Sequence, residues 1–248
     1  MPAIAIMSYK MVNFYRNIPQ KNQEIFRYPN EDIINIKLPA RIILVAPSGE
    51  GKTLKAMNFI KAVGTFQKIV LLAKDLAEPL YEHLIEKYRA LEKKLNTRIL
   101  LAIDKIEDLP PLEDWDKTEN NLLICDDLIC ENKKIMTEIL EPYWMRGRKK
   151  SITCLFLSQG YFDIPKLIRK NSTHIIIGKI KNKMDRMRVF REWPMERSLE
   201  QMEALYQQAM KSHIKRGDDR VNNFLLIDTE AQDPDLELRD RFDRSKSQ

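Results

Sequence analysis

The chain has 248 residues, of which 44% are hydrophobic and 31% charged, with a formal net charge of +6 at pH 7. This length is sufficient for one large domain with its own buried core. No apolar run approaches the ~18 residues that a membrane-spanning helix needs, which argues against a helical membrane protein. The apolar stretch around Ile4 lacks the length and the basic start of a signal peptide, so we expect no secretion.

Short apolar segments alternate with helical patterns along the chain. Residues 42–45, Ile-Ile-Leu-Val, form the continuous apolar run expected of a parallel strand buried on both faces. Residues 78–96 carry apolar side chains at helical spacing, which predicts a long helix. We expect one helix to begin near residue 53, a second to cover residues 78–96 and a third to run from about residue 132 to 146. We expect strands at 33–38, 41–45, 68–72, 98–103, 122–125, 152–157, 174–178 and 224–227.

This alternation predicts an α/β fold with a mostly parallel central sheet flanked by helices. We divide the chain into an N-terminal arm over residues 1–30, one domain over residues 31–229 and a charged C-terminal tail over residues 230–248. The tail contains Pro234 and almost no apolar periodicity, so we expect it to be loosely held or to need a partner.

The cysteines Cys125, Cys130 and Cys154 form no C-x-x-C pair. Their odd number and wide spacing argue against a disulfide framework and against a zinc site. The three histidines are scattered and show no metal-ligand spacing. We therefore expect free, buried thiols.

A phosphate-binding loop is predicted between the strand at 41–45 and the helix that follows it. The sequence APSGEGKT matches the pattern G-x-x-x-x-G-K-[ST] at every position except the first. In such a loop Lys52 would reach the β- and γ-phosphates of a nucleotide and Thr53 would bind Mg²⁺. The alternative is a chance turn between a strand and a helix. The predicted nucleotide-binding residues are Ala46, Pro47, Ser48, Gly49, Glu50, Gly51, Lys52 and Thr53.

Two aspartates follow the apolar run at 122–125, an arrangement typical of the Walker B element that holds Mg²⁺. Asp126 would orient the metal, and Asp127 would polarise the attacking water, the role that separates a hydrolase from a protein that only binds nucleotide. The alternative is that both aspartates cap a helix where the strand ends.

Two further motifs follow in the chain. Ser158 and Gln159 follow the strand at 152–157, at whose carboxyl end the Gln159 amide would sense the γ-phosphate. Arg146 and Arg148 precede that strand, and an arginine supplied to the nucleotide of a neighbouring subunit is worth roughly 10³–10⁵ in rate. The alternatives for this arginine segment are a nucleic-acid contact and a solvated turn.

Positive charge is concentrated between residues 146 and 191, where thirteen Lys or Arg accompany two Asp. This basic block carries +11, and the rest of the chain sums to −5. Such a distribution is typical of a surface that contacts a polyanion, and a solvated face is the alternative. The candidate DNA contacts are Lys149, Lys150, Lys166, Arg169, Lys170, Lys181, Lys183 and Arg186.

The order of these motifs resembles the poxvirus-type genome-packaging ATPases of the HerA/FtsK superfamily, which occur in large DNA viruses of eukaryotes and in their virophages. The resemblance covers roughly residues 41–228 and rests on the segments 121–127, 146–150, 157–159 and 164–171. The chain departs from the family pattern at Ala46, where glycine is usual, and at Asp127, where many members have glutamate. The resemblance implies a RecA-like P-loop NTPase fold, with Arg146 or Arg148 as the finger that acts on the next subunit.

The resemblance also implies a function. The protein would be an ATP-driven motor, dependent on ATP and Mg²⁺, that moves double-stranded DNA into a preformed capsid as a ring of identical subunits. Its partners would be double-stranded DNA, further copies of the chain and a capsid vertex or portal-like protein. Its location would be the virus assembly site in the host-cell cytoplasm, with association with the virion as an extension. Two alternatives are a P-loop kinase for a small acceptor, with residues 146–150 as a lid, and a non-hydrolysing, ATP-dependent DNA-binding assembly protein.

Overall fold

A computed structural model of the protein describes residues 26–128, 132–211 and 223–242. Most of the predicted arm, the thiol Cys130 and the end of the predicted tail lie outside these residues. None of the helices within the described ranges has the length and apolar character that crossing a membrane requires.

In the part of the chain that the structure describes, eight strands form one sheet in the order β3-β2-β4-β5-β1-β6-β7-β8. Strands β1 to β6 run parallel, whereas β7 is antiparallel to β6 and β8 is antiparallel to β7. The strands are β1 (Arg41–Val45), β2 (Lys68–Ala73), β3 (Leu100–Ile103), β4 (Asn121–Asp126), β5 (Ile152–Ser158), β6 (His174–Ile177), β7 (Leu225–Asp228) and β8 (Leu238–Asp240).

Seven α-helices are assigned within the described residues, and together they cover both faces of the sheet. Alternate residues of each central strand point to opposite faces, so that Ile43 packs in one core and Ile42 in the other. The helices are α1 (Glu31–Ile34), α2 (Lys52–Val63), α3 (Pro79–Leu95), α4 (Lys133–Arg146), α5 (Lys166–Asn171), α6 (Lys183–Glu192) and α7 (Leu199–Lys211). Helices α2 and α3 cover one core, and α4 to α7 cover the other.

The predicted α/β architecture is confirmed, but two predicted elements are wrong. The segment 33–38 is not a strand: α1 ends at Ile34 and is capped by Asn35, which adopts a left-handed conformation with φ 56°. Ile36 and Leu38 are nevertheless buried. Their alternating pattern reflects contact with the core next to α2. Within the described residues, the β-pairing of this segment is limited to one isolated bridge between Phe26 and Leu38.

The expectation of a loosely held tail is wrong for residues 230–242. Strand β8 pairs with β7 and places Arg239 in the interior, fully buried. The Arg239 guanidinium donates to an Asp228 carboxylate oxygen at 3.2 Å and to the Ile34 carbonyl. The tail therefore contributes the last strand of the sheet, and its charged residue Arg239 hydrogen-bonds inside the protein.

Candidate nucleotide-binding site

The predicted motifs meet at one edge of the sheet because their strands are parallel and in register. Val45, the last residue of β1, pairs with Ser158 at the end of β5. Leu157 of β5 in turn pairs with Asp126 at the end of β4. The order β4-β5-β1 thus places the loop after β1, the aspartates after β4 and the glutamine after β5 side by side.

The loop after β1 has the backbone of an anion-binding turn. Gly49 and Gly51 have φ values of 75° and 69°, a left-handed conformation that suits glycine. The Glu50 N–H donates to the Pro47 carbonyl at 3.3 Å, which tightens the turn. Helix α2 begins directly at Lys52, so its first backbone N–H groups face the same opening.

Ala46, the residue at which the loop departs from the motif, packs against a glycine of the neighbouring strand end. The Gly178 N–H donates to the Val45 carbonyl at 2.8 Å. A side chain on Gly178 would place its Cβ 2.6 Å from the Ala46 Cβ, closer than two carbon atoms can approach. The loop can therefore carry the Ala46 side chain in place of the motif's glycine because Gly178, the residue after β6, has no side chain.

A buried lysine of α2, Lys55, hydrogen-bonds the backbone of the phosphate-binding loop. It is only 2% exposed, and its Nζ donates to the Glu50 carbonyl at 2.6 Å and to the Gly51 carbonyl at 3.4 Å. Burial, reinforced by the Lys52 charge, lowers the pKa of Lys55 to about 8 although Glu50 opposes the change. These bonds occupy two carbonyls of the loop and none of its N–H groups.

The motif residues line a common cleft of about 480 Å³. It is bounded by the loop on one side and by the start of α3 on the other. Its lining includes Ser48, Gly49, Gly51, Lys52, Thr53, Asp126, Asp127, Gln159, Glu78 and Tyr81. The size and the mixture of backbone N–H, lysine and carboxylate groups suit a nucleotide polyphosphate.

Asp126 is the carboxylate in this cleft that fits a metal ion. It is 9% exposed, and its Oδ2 accepts a hydrogen bond from the Tyr81 hydroxyl at 2.7 Å. Its Oδ1 is buried and has no hydrogen-bond partner of ordinary geometry within the described residues. Burial raises the pKa of Asp126, and the Tyr81 hydrogen bond and the Lys52 charge oppose that change. This carboxylate oxygen and the Thr53 hydroxyl line the same cleft and are an appropriate donor set for Mg²⁺.

Asp127 and Gln159 form a pair at the mouth of the cleft. Both side chains are exposed, and the Gln159 Nε2 donates to the Asp127 Oδ1 at 3.5 Å. Asp127 adopts a left-handed conformation with φ 53°, which is uncommon for residues other than glycine and turns its side chain away from the strand direction. The neighbouring aspartates thus have different environments, one buried and one open to solvent.

The profile of the family described as Poxvirus A32 protein matches residues 26–222. The chain belongs to the poxvirus A32 protein family. The resemblance read from the motif order is thereby confirmed. Among curated proteins, no sequence matches the chain significantly.

The fold of this A32 family member is similar to that of solved packaging NTPases. The genome packaging NTPase B204 from Sulfolobus turreted icosahedral virus 2, in complex with ATP-gammaS, matches with a TM-score of 0.54 and 16% identity, covering 81% of this chain and 96% of that chain. B204, the DNA-packaging ATPase from Sulfolobus turreted icosahedral virus, matches with a TM-score of 0.52 and 15% identity, covering 82% and 96%. The predicted P-loop NTPase fold is confirmed.

The arginine motif of this A32 family member lies far from its own cleft. Arg146 ends α4, and Arg148 belongs to a short 3₁₀ segment, Gly147–Lys150, that leads into β5. The seven residues of β5 at ~3.3 Å per residue separate that segment from Gln159 by roughly 20 Å. Both side chains are exposed. The structure therefore does not bring either arginine to the nucleotide cleft of the same chain.

Two of the predicted DNA contacts are wrong, because Arg169 and Arg186 are 9% and 6% exposed and have partners inside the protein. The Arg169 Nε donates to Glu192 at 3.3 Å, and its guanidinium lies over the Phe162 ring at 4.9 Å. The Arg186 guanidinium is held by both carboxylate oxygens of Glu203, at 2.5 and 3.1 Å. Both cations hold helices together.

Lys150 is also an unsuitable DNA contact. Its Nζ donates to the carbonyls of Glu113 and Trp115 at 3.2 Å each, which anchors the loop before β4. The remaining candidates are exposed: Lys149, Lys166, Lys170, Lys181 and Lys183. Lys166 and Lys170 line a groove of about 740 Å³ beside α5. Lys181 and Lys183 follow β6, whose last residue Ile177 pairs with Val45 at the edge that carries the nucleotide cleft.

Sequence reasoning missed three residues that shape the cleft: Lys55, Tyr81 and Gly178. Lys55 lies one helical turn after Lys52, and that spacing was the available signal for a second lysine near the loop. Tyr81 and Gly178 follow other strands that end at the same edge. Their contacts with the motif residues depend on strand order, which has no local sequence signal.

Proposed function

We propose that this protein is an ATP-hydrolysing motor that moves double-stranded DNA into a preformed capsid. The observation that carries the proposal is the convergence, in one cleft of an A32 family member, of a phosphate-binding loop, the buried Asp126 carboxylate and an exposed Asp127–Gln159 pair. The similarity to the B204 genome packaging NTPase supports the same conclusion.

The residues of the cleft divide the chemistry between them. The loop N–H groups and Lys52 would bind the β- and γ-phosphates and stabilise the charge that develops during transfer. Thr53 and the Asp126 Oδ1 would hold Mg²⁺, which supplies further charge neutralisation at the phosphates when it is bound. Asp127, open to solvent, would accept the proton of the attacking water, and the Gln159 amide would hold that carboxylate and report on the γ-phosphate.

The arginine motif requires a second subunit. Arg146 and Arg148 are separated from their own cleft by the length of β5, yet both are exposed at the opposite edge of the sheet. An arrangement of subunits in a ring would present this edge to the cleft of a neighbour. We assign the trans-acting finger to one of these two arginines and infer a homo-oligomeric ring that works with a portal-like capsid protein at the cytoplasmic assembly site.

The DNA surface would consist of the exposed lysines of the basic block. Lys181 and Lys183 lie next to the nucleotide edge, because they follow β6 and Gly178 contacts the loop. Contacts of lysine with phosphates would be independent of DNA sequence, as a packaging motor needs.

The test is a hydrolysis and translocation assay with the full chain. We expect ATP hydrolysis to rise when duplex DNA is added, and a triplex-forming strand to be displaced from the duplex in an ATP-dependent manner. Transfer of phosphate to a small acceptor without any response to DNA would establish a kinase instead. Tight ATP binding with no turnover in the presence of DNA would establish a non-hydrolysing assembly protein.

A further inference from the structure

We propose that Tyr81 is a positioning residue for the metal–nucleotide complex: its hydroxyl holds one carboxylate oxygen of Asp126 and thereby orients the other toward Mg²⁺. The proposal rests on the nucleotide cleft described above and deepens its chemistry. No sequence motif marks Tyr81, which lies in the first turn of α3, on the opposite side of the cleft from the phosphate-binding loop.

The position of Tyr81 is fixed by its own helix. Glu78 caps α3, and its Oε2 accepts hydrogen bonds from the Leu80 N–H at 3.0 Å and the Tyr81 N–H at 3.1 Å. Pro79 follows the cap in the first turn, where its ring favours the helical backbone. The Tyr81 side chain is 2% exposed and belongs to the core beneath α2 and α3. The packing of the side chain therefore holds its hydroxyl in one position.

The hydrogen bond of the hydroxyl has a definite direction. The Tyr81 hydroxyl donates its proton to the Asp126 Oδ2 at 2.7 Å. Burial, together with the Asp126 charge, raises the pKa of Tyr81 far above its usual value, so the group stays a protonated donor.

This bond determines what remains for a metal. The Asp126 Oδ2 is occupied by Tyr81, and its Oδ1 is buried without a partner of ordinary geometry within the described residues. Mg²⁺ demands oxygen ligands in near-ideal octahedral positions, so a bond that fixes the orientation of a ligand carboxylate favours its binding. Partners of this kind are typically worth 10–100-fold in metal affinity.

The experiment compares Tyr81→Phe with Tyr88→Phe, in the full chain without DNA. Tyr88 is a half-buried tyrosine two turns further along α3, so its substitution removes the same hydroxyl group from the same helix away from the cleft. The binding of a non-hydrolysable ATP analogue is measured by calorimetry, once with excess Mg²⁺ and once with EDTA. Thermal unfolding of each variant confirms that it is folded.

We expect Tyr81→Phe to bind the analogue in EDTA within about threefold of the wild type. The gain in affinity on adding Mg²⁺ should fall by about 10-fold or more, and the Mg²⁺ concentration for half-saturation should rise correspondingly. Tyr88→Phe should retain the full gain. A Tyr81→Phe protein that retains the full Mg²⁺ gain, or that loses affinity equally with and without Mg²⁺, would overturn the proposal.

A second pair of variants covers the case in which Tyr81→Phe fails to fold because the buried Asp126 charge loses its partner. Asp126→Asn removes that charge, and Tyr81→Phe is then added to it. If Tyr81 acts through Asp126, the second substitution should cause no further loss of the Mg²⁺ gain. A further loss of similar size would contradict the link between the two residues.

The outcome is separable from that of the motor proposal. A wild type that binds the analogue more tightly with Mg²⁺ but never responds to DNA, with the gain lost in Tyr81→Phe, would reject the motor and retain the role of Tyr81. A DNA-stimulated wild type whose Mg²⁺ gain survives in Tyr81→Phe would do the reverse.

Discussion

The nucleotide cleft and the basic block of this chain illustrate two kinds of sequence signal. In the cleft, the motif residues Lys52, Asp126 and Gln159 all reach the same opening. In the basic block, thirteen cations look equivalent in the sequence, yet Arg169 and Arg186 are buried between helices whereas most lysines are exposed. A motif that specifies a local backbone turn therefore predicts where its residues lie in the fold. A count of charges does not say which charges face solvent.

The largest effect should follow from Lys52→Ala, which removes the cation proposed to balance the β- and γ-phosphates. We expect ATP hydrolysis to fall by about 100-fold or more, because charge stabilisation of the transition state is lost. Steady-state phosphate release checks this, with Lys61→Ala on the exposed face of the same helix as the control. Near-normal turnover in a folded Lys52→Ala protein would remove the loop from the chemistry.

The two kinds of cation in the basic block should differ in stability. Arg186→Ala leaves Glu203 without its partner, and we expect a loss of about 3 kcal/mol in the free energy of unfolding. Lys183→Ala, three residues earlier and exposed, should change it by less than about 0.5 kcal/mol. Urea denaturation measures both. Equal losses would mean that burial does not divide the block as the structure indicates.

The lowered pKa of Lys55 should make the free energy of unfolding depend on pH. Its pKa is about 8 in the folded protein against 10.5 for the exposed side chain, so between these values the unfolded chain binds more protons. Stability from this group should therefore rise with pH, by about 2 kcal/mol between pH 8 and 10.

The measurement is the difference between wild type and Lys55→Met in unfolding free energy across this range, since other groups titrate equally in both. A difference that stays constant with pH would show that the lysine is not desolvated. Lys61→Met provides the exposed comparison on α2.

The close packing of Gly178 against Ala46 can be tested with single and double substitutions. Gly178→Ala would bring two Cβ atoms to 2.6 Å, and we expect a loss of about 2 kcal/mol in stability together with weaker nucleotide binding. Ala46→Gly should be well tolerated, and the double variant should recover most of the loss because the opposing Cβ is gone. Additive losses in the double variant would contradict the proposed contact.

The smallest effect concerns the exposed lysines. Salt titration of duplex binding should show a log–log slope that is less steep by about 2 in the Lys181→Ala, Lys183→Ala double variant, since each phosphate neutralised contributes ~0.9. Basal hydrolysis without DNA should be retained. An unchanged slope would leave Lys149, Lys166 and Lys170 as the remaining candidates.

The sequence by itself was sufficient for the parts of this protein that are local in the chain. The apolar run of β1, the loop and the start of α2 are contiguous, so the phosphate-binding turn was predicted with its helix only one residue out of place. The strand β4 and its two aspartates were predicted for the same reason. The strand predicted at 33–38 was wrong, because burial against a core produces the same alternation of apolar residues as burial in a sheet.

The tertiary structure alone decided which distant residues serve the site. Tyr81 and Asp126 are 45 residues apart and meet only because β2 and β4 are adjacent and parallel. The glycine that accommodates Ala46 follows β6, on the other side of β1. Such contacts arise from the pairing of whole strands, a long-range property that periodicity and spacing within a short segment do not encode.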